Sequence, residues 1–389
     1  MLLSIGIPTH HGRMKSLRDA LDSILRQVTD DLRGRFEICV SDNASADGTQ
    51  EMMAEYQRQY GADLVVYHRS EVNKEFLGNM LHLVEMARGE FCWFLGSDDQ
   101  FRGDKGIVTM LAVLEQHRDT AGVSVNWHDF FKFVDKKKHE EIEGEPAEFK
   151  NEYLLAEESD KMHVYTSHEE ILRHCGIPHT YISSNAVSKR LWLEVVAEEG
   201  VDTLAKYFYY PHVYVLGLMC KKQPKWVWVP DRLIRHRIGN DAMVEYFGWE
   251  FHSQTIAVMH DLSNVWAVLL GKKSPVYRNL MAKQALWAWR PGSIRWIKNQ
   301  WSYRSVRDDW TMLREFTKHL HFVPGFWYKT FPSLLLPHFL TPGKQGLVRR
   351  VLRARELLMD WIKGEPEPDY IVISRKPVPN QQAATGSHA

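Results

Sequence analysis

The first 127 residues alternate short, uniformly apolar runs with longer amphipathic stretches. Apolar runs without internal alternation are typical of strands buried on both faces, whereas apolar residues three or four positions apart indicate helices. The pattern predicts strands at 2–7, 36–41, 64–67, 91–95 and 122–127, and helices at 14–27, 49–60, 76–87 and 107–117. Such alternation predicts an α/β fold with an open, mostly parallel sheet, in which ligands bind beyond the carboxyl ends of the strands.

The remainder of the chain is patterned less regularly. Residues 128–160 are polar, which predicts a surface excursion, with a lid and a solvated loop as the two alternatives. A helix is predicted at 167–174, and strands at 180–188 and 225–229. From residue 243 onward the pattern is helical and broken by prolines. We therefore expect an α/β domain at 1–242, with halves 1–127 and 128–242, a helical region at 243–376 and a disordered tail at 377–389.

Charge is distributed unevenly, although the net charge is zero and the composition is that of a globular protein. Residues 272–363 contain 18 Lys and Arg but only 5 Asp and Glu, together with seven of the 14 tryptophans. A basic, Trp-rich region fits peripheral contact with an anionic membrane. The alternative is a helical subdomain whose tryptophans form its core and whose charge faces the acidic half. Nothing in the pattern indicates a nucleic-acid partner.

Cysteine usage and hydropathy bear on the cellular compartment. The four cysteines lie far apart in the sequence, which argues against a disulfide framework or a zinc site and favours a reducing compartment. No basic segment precedes the first apolar run, so we expect no signal peptide. No apolar window approaches the length needed to cross a bilayer. The expected location is the cytoplasm, with the inner face of the cell membrane as the place of any peripheral contact.

Polar residues follow the first two predicted strands. Asp42 ends the second strand and begins a turn-rich segment, and Thr9 follows Pro8 at the end of the first strand. A carboxylate at this edge can accept a hydrogen bond from a nucleotide base. The alternative for Asp42 is an Asx turn or a helix cap.

The strongest local feature is the segment FCWFLGSDDQ, in which an apolar strand leads into Ser97, Asp98 and Asp99. Two adjacent carboxylates repel each other unless a cation neutralises them. Mg²⁺ or Mn²⁺ bound by one or two carboxylates and by substrate phosphate oxygens is a common solution. The alternative is an ordinary acidic turn.

Taken in order, these motifs resemble those of the inverting glycosyltransferase family 2, which has the Rossmann-like GT-A fold. PTHH is similar to the opening motif of that family, and DNASADGT to its nucleotide loop. Asn79 and ARGE resemble the helix and turn before the metal-binding strand, and GSDD resembles the DxD end of that strand. The resemblance covers 1–127 well and 180–241 more weakly. Within the family it is to bacterial enzymes of O-antigen and surface-polysaccharide assembly, including abequosyltransferase-like ones.

The resemblance implies roles for individual residues. It makes Asp42 the base-recognition residue and Asp98 the metal-binding Asp of the DxD, with Asp99 beside it. It places further nucleotide-sugar contacts at Pro8, Thr9, Asn79, Ser97, Arg235 and Arg237, and a metal contact at His236. The first DxD position is Gly96, so the carboxylate usual there is missing.

The general base is the least defined of these roles. In the family it is an acidic residue near a helix start, about a hundred residues after the DxD. Here His212 lies near that position, and Asp202 is the second candidate. A histidine can accept a proton from an attacking hydroxyl near neutral pH. The alternative for His212 is a structural role among aromatic residues.

The resulting functional hypothesis is a metal-dependent, inverting transfer of one sugar from a nucleoside diphosphate sugar to a hydroxyl of a glycan or lipid-linked acceptor. The QxxRW motif of processive synthases is absent, because Gly292 stands where its Gln would be. A sugar-nucleotide pyrophosphorylase is less favoured, since the Gly-rich basic loop after the first strand is missing. A non-catalytic glycan- or membrane-binding scaffold with the same fold remains the alternative from another class.

Overall fold

The computed structural model of the chain describes residues 1–135, 140–144, 160–238, 251–287, 306–323 and 325–335. Within these residues, ten strands form one sheet. The predicted disordered tail at 377–389 lies outside the described residues.

The N-terminal part alternates strands and helices as its sequence pattern predicts. Its elements are β1 (Leu3–His10), α1 (Met14–Leu25), β2 (Phe36–Asn43), α2 (Thr49–Tyr60), β3 (Val65–Arg69), α3 (Glu75–Met86) and β4 (Phe91–Phe94). Strands β2 and β4 are buried along their whole length, which explains why their sequences lack polar alternation. The amphipathic α1 buries Leu17, Leu21 and Ile24 against the sheet side of the core.

The second part of the chain adds shorter strands and several helices. Its elements are β5 (Gln100–Phe101), α4 (Gly106–Gln116), β6 (Gly122–Asp135), β7 (Glu140–Gly144), β8 (His163–Tyr165), α5 (His168–Thr180), β9 (Asn185–Ser188), α6 (Lys189–Glu199), α7 (Val201–Leu204), α8 (Pro211–Lys222) and β10 (Trp226–Ile238). Sequence sets several helix starts. The hydroxyls of Ser167 and Ser188 cap α5 and α6, and Pro211 occupies the first turn of α8, where a missing N–H costs nothing.

The sheet has the order β3-β2-β1-β4-β9-β6-β10-β5. Strands β3, β2, β1 and β4 are parallel, as predicted. Beyond them the sheet is mixed, because β9 is antiparallel to both of its neighbours whereas β6 and β10 are parallel to each other. The α/β class is therefore confirmed, and the expectation of a mostly parallel sheet holds for its first four strands.

Three predicted segments differ from the structure, of which the strand predicted at 225–229 continues as β10 to Ile238. The strand predicted at 180–188 begins only at Asn185, because α5 continues to Thr180 and a 3₁₀ turn follows it. The predicted excursion at 128–160 begins as regular structure, since β6 continues to Asp135 and pairs with β7. The run FFKFV explains the longer strand, because β-branched and aromatic residues favour pleated structure.

The C-terminal part is helical, as expected. Its helices are α9 (Phe251–Leu270), α10 (Pro275–Trp287), α11 (Val306–Leu320) and α12 (Phe331–Leu335), with a π-helical turn at Phe326–Thr330 before α12. Helix α9 packs closely on α8: a Cβ at Gly217 would lie 2.2 Å from a methyl carbon of Leu269. Trp266 is fully buried, whereas Trp310 and Trp327 are more than half exposed. None of the described helices is both long and apolar enough to cross a membrane.

Candidate functional site

The carboxyl ends of three parallel strands meet at one edge of the sheet. The register pairs Thr9 of β1 with Asp42 of β2, and β4 lies on the other side of β1. The acidic turn at 96–99 follows β4 directly. This shared edge therefore collects the polar residues that the sequence places after separate strands, as the general rule for ligand sites in open α/β sheets expects.

At the end of β2, the Asp42 carboxylate is fully buried and completely hydrogen-bonded within the protein. Its Oδ1 accepts hydrogen bonds from the backbone N–H (3.0 Å) and the hydroxyl (2.5 Å) of Ser45, and its Oδ2 accepts one from the Tyr67 hydroxyl (2.7 Å). Burial and this bond raise the pKa of Tyr67, so the phenol stays protonated as the donor. Asp42 thus has a local structural role like the alternative given above, although its backbone donor, Ser45, lies three residues on and not two as in an Asx turn. Its contact with a base stays a prediction, and it requires Tyr67 to release one oxygen.

Asn79 of α3 links the ends of β1 and β2. Its side-chain amide donates to the carbonyls of Thr9 and Ser41, both at 3.2 Å, and accepts from the Ser41 hydroxyl at 2.7 Å. The Asn79 amide is therefore engaged within the protein, and its nucleotide contact stays a prediction. The hydroxyl of Thr9, by contrast, is buried and has no hydrogen-bond partner among the described residues. A buried polar atom without a partner is costly, which favours a ligand beside Thr9 and the adjacent Pro8.

In the acidic turn, Asp99 is buried and structurally engaged. Its Oδ2 accepts hydrogen bonds from the hydroxyls of Tyr181 (2.7 Å) and Ser183 (2.5 Å). Its Oδ1 accepts one from the backbone N–H of Arg237 at 3.0 Å. Asp99 therefore joins the end of β4 to β10 and to the turn after α5. Its predicted role as a metal ligand stays a prediction, and the geometry favours Asp98 for that role.

The turn itself explains why a glycine occupies the first DxD position. A Cβ on Gly96 would lie 2.9 Å from Oδ2 of Asp99 and 3.1 Å from Oδ1 of Asp98. The Gly96 N–H also donates to the Ser183 hydroxyl at 2.8 Å, which fixes the backbone there. The missing carboxylate is therefore a steric consequence of folding both following carboxylates back over this residue. Ser97, predicted to contact the nucleotide sugar, lies buried in the same turn.

Asp98 is the carboxylate of the acidic turn whose pKa its surroundings shift. Burial and the neighbouring charge of Asp99 raise its pKa to about 6, although the Arg13 guanidinium opposes this shift. Nη1 of Arg13 lies 3.2 Å from Oδ2 of Asp98, and about a quarter of the Asp98 side chain is exposed. Arg13 itself is buried at the start of α1. Our sequence interpretation missed Arg13; its signal was an arginine directly after the PTHHG turn at the same sheet edge.

Strand β10 places His236 near Asp98 and Asp99, and we call the polar side chains around the acidic turn at 96–99 the cluster. Nδ1 of His236 lies 2.9 Å from Oδ1 of the buried Asp129, and its ring packs on that of Tyr181 at 4.6 Å. Burial alone would lower the pKa of His236, but the bond to Asp129 and the charges of Asp99 and Asp98 raise it above its usual value. Asp129 and Tyr181 were not identified from the sequence, because each follows a segment whose course was predicted differently.

The two predicted phosphate-binding arginines have different surroundings. Arg237 lies at the cluster, since its backbone binds Asp99 and its guanidinium lies 4.0 Å from Asp19. Arg235 points along the sheet, where it contacts Gln100 at 3.0 Å and Glu143 at 2.6 Å and stacks over the Phe130 ring. The geometry therefore supports Arg237 for phosphate contact more than Arg235, and both assignments stay predictions.

The fit of a divalent cation can be judged from these donors. Among the described residues, no three His, Cys, Asp or Glu side chains form a metal-binding group. Mg²⁺ and Mn²⁺ sites that use substrate phosphates need only one or two protein carboxylates, so a three-residue cage is not required. Asp98, with its raised pKa and partial exposure, is the carboxylate that a cation would relieve. His236 hydrogen-bonded through Nδ1 to a carboxylate matches the usual support of a metal-binding imidazole. These residues fit the ion.

The two candidate bases, His212 and Asp202, lie in different environments. His212 is buried in the first turn of α8, with ring contacts to Phe76 at 5.8 Å and Tyr210 at 5.9 Å. Burial lowers its pKa to about 4, an effect opposed by the nearby backbone of Thr180. Neither ring nitrogen has a hydrogen-bond partner among the described residues. Asp202 is exposed in α7, and no described contact brings it to Asp98 or Asp99. Both assignments stay predictions.

A surface cavity of about 630 Å³ lies at the opposite edge of the sheet, near the start of β4 and the end of β9. Its cations already have partners: Arg190 contacts Glu194 at 2.9 Å, and Lys189 donates to the carbonyl of Ala87. The cavity is therefore separate from the polar edge described above.

Comparison with known proteins gives the class of this fold. The chain is similar to the crystal structure of S. aureus TarS 1-349, with a TM-score of 0.51 and 12% identity over 95% of this chain and 93% of that one. The same fragment in complex with UDP-GlcNAc matches with a TM-score of 0.51 and 12% identity over 94% and 92% of the two chains. At this identity the likeness shows the fold alone, which is that of GT-A glycosyltransferases.

The sequence comparisons then show which family and relatives the chain is similar to. Residues 4–174 match the family model described as Glycosyl transferase family 2, which confirms the resemblance inferred from the motifs. The chain is 32% identical over 225 residues to Abequosyltransferase RfbV of Salmonella typhimurium (strain LT2), an alignment covering 56% of this chain and 60% of that relative. It is 27% identical over 104 residues to the putative teichuronic acid biosynthesis glycosyltransferase TuaG of Bacillus subtilis (strain 168), covering 27% and 38%. The chain thus spans less than two thirds of the length of each of these relatives.

Proposed function

We propose that this chain is a metal-dependent, inverting glycosyltransferase. It transfers one sugar from a nucleoside diphosphate sugar to a hydroxyl of a glycan or lipid-linked acceptor. The observation that carries the proposal is Asp98, a charge-strained carboxylate at the carboxyl end of a central parallel strand. Burial and Asp99 raise its pKa to about 6, and Arg13, Arg237 and His236 surround the same turn. A site that combines cationic side chains with one strained carboxylate suits a diphosphate and its counter-ion.

The protein's own groups divide the work of donor binding. The buried hydroxyl of Thr9, which has no hydrogen-bond partner among the described residues, contacts the nucleotide. Asp42 accepts a hydrogen bond from the base once the Tyr67 hydroxyl releases Oδ2. Arg13 and Arg237 supply positive charge beside the acidic turn. Asp98 and His236 would hold a Mg²⁺ or Mn²⁺ ion, and such an ion would offset the negative charge that develops on the leaving diphosphate. Asp99 keeps the turn in place by its three hydrogen bonds.

We assign proton removal from the acceptor hydroxyl to His212, with Asp202 as the second candidate. Burial lowers the pKa of His212 to about 4, so the imidazole is neutral at physiological pH and has a lone pair for a proton, although a base with this pKa is a weak one. We expect His212→Ala to lower turnover by about two orders of magnitude or more, while nucleotide binding survives. His212→Gln, which keeps a polar side chain of similar size, serves as the packing control. Near-normal turnover of His212→Ala in a steady-state assay would remove the assignment.

The acceptor is proposed by analogy with the named relatives. One is an abequosyltransferase and another a putative teichuronic acid biosynthesis glycosyltransferase, so a bacterial surface polysaccharide or its lipid-linked precursor is the proposed acceptor class. A lipid-linked acceptor fits a cytoplasmic enzyme that contacts the inner face of the cell membrane. Support comes from the basic C-terminal region and from its exposed Trp327.

Nucleotide binding is the first test. UDP, GDP, dTDP and CDP, each with and without Mn²⁺, are screened by thermal shift, since a ligand specific for the folded state raises the melting temperature with its occupancy. We expect one nucleotide to stabilise the fold, more so with Mn²⁺. Nucleotide sugars that contain the stabilising nucleotide are then assayed for hydrolysis and for sugar transfer. The wild type and Asp98→Ala are compared in the same assay. Binding without turnover would favour a scaffold, and sugar-nucleotide synthesis from a sugar phosphate would favour a pyrophosphorylase.

Membrane contact is tested on the whole chain. We expect flotation with anionic vesicles of phosphatidylglycerol at low salt, no flotation with phosphatidylcholine alone, and weakened flotation of Trp327→Ala. The absence of binding to anionic vesicles would remove this part of the proposal.

A further inference from the structure

Four consecutive aromatic residues, 207–210 with the sequence YFYY, lead directly into helix α8. They are held by a residue of the C-terminal helices. Oδ2 of Asp261, in α9, accepts hydrogen bonds from the backbone N–H groups of Tyr209 (2.9 Å) and Tyr210 (3.0 Å). Asp261 is buried, and burial raises its pKa while these two N–H groups oppose the shift. Hydrogen bonds to a charged group are stronger than those between neutral groups, so this contact fixes the path of the segment.

The aromatic segment is connected by side-chain contacts to the sheet edge that carries the acidic turn. His212 follows it by two residues and touches both Tyr210 and Phe76 through its ring. The backbone of Thr180 lies beside His212, and the next residue, Tyr181, donates to Asp99 in the acidic turn. Phe76 belongs to the first turn of α3, whose Asn79 links β1 to β2. The segment is therefore connected through His212 to the residues that hold the acidic turn and, through Phe76, to the helix that links β1 and β2.

Two of these aromatic side chains, Phe76 and Phe208, are exposed to solvent, although large aromatic residues are usually buried. The exposed fraction is 41% for Phe76 and 47% for Phe208. Exposed aromatic faces beside a polar cleft are a typical binding feature, because an aromatic ring offers a large rigid apolar surface. A pyranose ring has one face rich in C–H groups, which packs on such a surface while its hydroxyls point to polar neighbours. In the proposed reaction, the acceptor sugar is the second ring that has to reach this edge of the sheet.

We infer that residues 207–210 and Phe76 form the wall that receives an acceptor pyranose, and that Asp261 is the positioning residue that holds this wall against the site. The inference rests on the proposed function, because only a transfer reaction requires an acceptor. It gives the C-terminal helices a task within the enzyme: α9 packs on α8 through the Gly217–Leu269 contact, and Asp261 fixes the segment that precedes α8.

The positioning role is tested by hydrogen–deuterium exchange of the full chain, without any ligand. In the wild type, the amides of Tyr209 and Tyr210 should exchange slowly. We expect Asp261→Ala to speed exchange of the peptide covering 207–214 by about tenfold or more, which corresponds to the loss of a hydrogen bond to a charged group. Asp261→Asn, which keeps one acceptor oxygen, should lie between the two. Peptides from α3 should not change. Equal exchange in the wild type and Asp261→Ala would overturn this role.

The wall is tested with defined sugars. Saturation-transfer NMR is recorded with the methyl pyranosides of glucose, galactose and mannose, in the presence of the nucleotide that stabilises the fold. We expect ring C–H signals from at least one glycoside in the wild type, and at least threefold weaker signals in Phe208→Ala, Phe76→Ala and Asp261→Ala. Val108→Ala, on the distant α4, changes an equally exposed apolar residue and should match the wild type. No signal in the wild type, or equal signals in all variants, would overturn the inference.

Kinetics separate this inference from the proposed function. For the glycoside that responds, we expect its KM in transfer to rise at least fivefold in Phe208→Ala, while the donor KM and the rate of donor hydrolysis without acceptor remain unchanged. A wild type that neither binds nor hydrolyses any donor would contradict the proposed function. A wild type that hydrolyses the donor, together with an unchanged glycoside KM in Phe208→Ala, would contradict the acceptor wall alone.

Discussion

The two acidic strand ends of this sheet look alike in sequence and differ in structure. Asp42 ends β2 and Asp98 follows β4, each at a turn after a buried apolar strand. Asp42 is fully buried, and three protein donors satisfy its carboxylate. Asp98 is partly exposed, lies beside a second carboxylate, and has a pKa raised to about 6 by burial and that neighbour.

This difference separates a carboxylate whose charge the protein itself satisfies from one whose charge it leaves partly unsatisfied. Protein donors stabilise the charge of Asp42 in the absence of any ligand. The charge of Asp98 is only partly offset by Arg13, so a cation or a proton has to supply the rest. A perturbed pKa with a stated physical cause marks Asp98 as a candidate functional group, whereas the hydrogen bonds of Asp42 show that it also stabilises the fold. Four predictions test this contrast.

The largest expected effect is the loss of turnover in Asp98→Asn. The amide cannot replace the charge that binds the cation, so we expect transfer to fall by about 100-fold or more, or about 3 kcal/mol of transition-state stabilisation. The measurement is steady-state transfer with Mn²⁺ at saturating donor. Asp104→Asn, an exposed carboxylate on the loop before α4, is the matched control. Wild-type turnover in Asp98→Asn would contradict the contrast.

The second prediction concerns stability and its pH dependence in metal-free protein. Because the pKa of Asp98 is about 6 when folded and near 3.8 when unfolded, ionisation at this position opposes folding as pH rises from about 4 to about 6. Asp98→Asn removes that cost. We expect the variant to be more stable than the wild type by about 2 kcal/mol above pH 6, and the difference to vanish near pH 4. Urea unfolding at several pH values measures it. A variant less stable than the wild type at pH 7 would count against a strained Asp98.

The third prediction concerns Asp42, where we expect substitution by Asn to have the opposite effect on the free energy of unfolding. Asn at this position keeps one acceptor oxygen, so the donors that face the other oxygen lose their partner. We expect Asp42→Asn to lower the free energy of unfolding by about 1–3 kcal/mol at pH 7, the cost of unsatisfied buried groups. The same urea experiment measures it. Unchanged stability would show that the carboxylate is not structurally required.

The smallest expected effect tests whether Asp42 also contacts a base. Tyr67→Phe removes the hydroxyl that a base would have to displace from Oδ2. We expect the variant to bind the stabilising nucleotide up to about fivefold more tightly, which corresponds to about 1 kcal/mol for one hydrogen bond. Isothermal titration calorimetry measures the Kd. Weaker binding would argue that Tyr67 itself, rather than Asp42, faces the base.

The sequence predicted the parallel half of the fold best. Helix α2 has the predicted bounds, and the other helices and strands of 1–117 differ by one or two residues at most ends. Local periodicity sufficed there because each element buries a continuous apolar surface. The bounds of β6 and β9 were wrong, because they depend on pairing with strands distant in the sequence. Residues 128–242 are where long-range contacts override local preference.

The candidate site was predictable in its acidic turn and less so in its surroundings. Asp98 followed from the strand-and-turn pattern, because chain neighbours define it. Arg13 and Asp129 contribute through contacts with residues 85 and 107 positions away, which no local pattern encodes. Gly96 shows the same limit: its absence of a side chain was visible, but the steric reason, the return of two carboxylates over its Cα, required the structure.

The most direct test of the central claim is anomalous diffraction from a crystal soaked with Mn²⁺ and the stabilising nucleoside diphosphate. The account predicts a manganese peak within about 2.2 Å of a carboxylate oxygen of Asp98, with the diphosphate bound to the same ion at the end of β4. A diphosphate bound elsewhere, with no manganese beside Asp98, would contradict it.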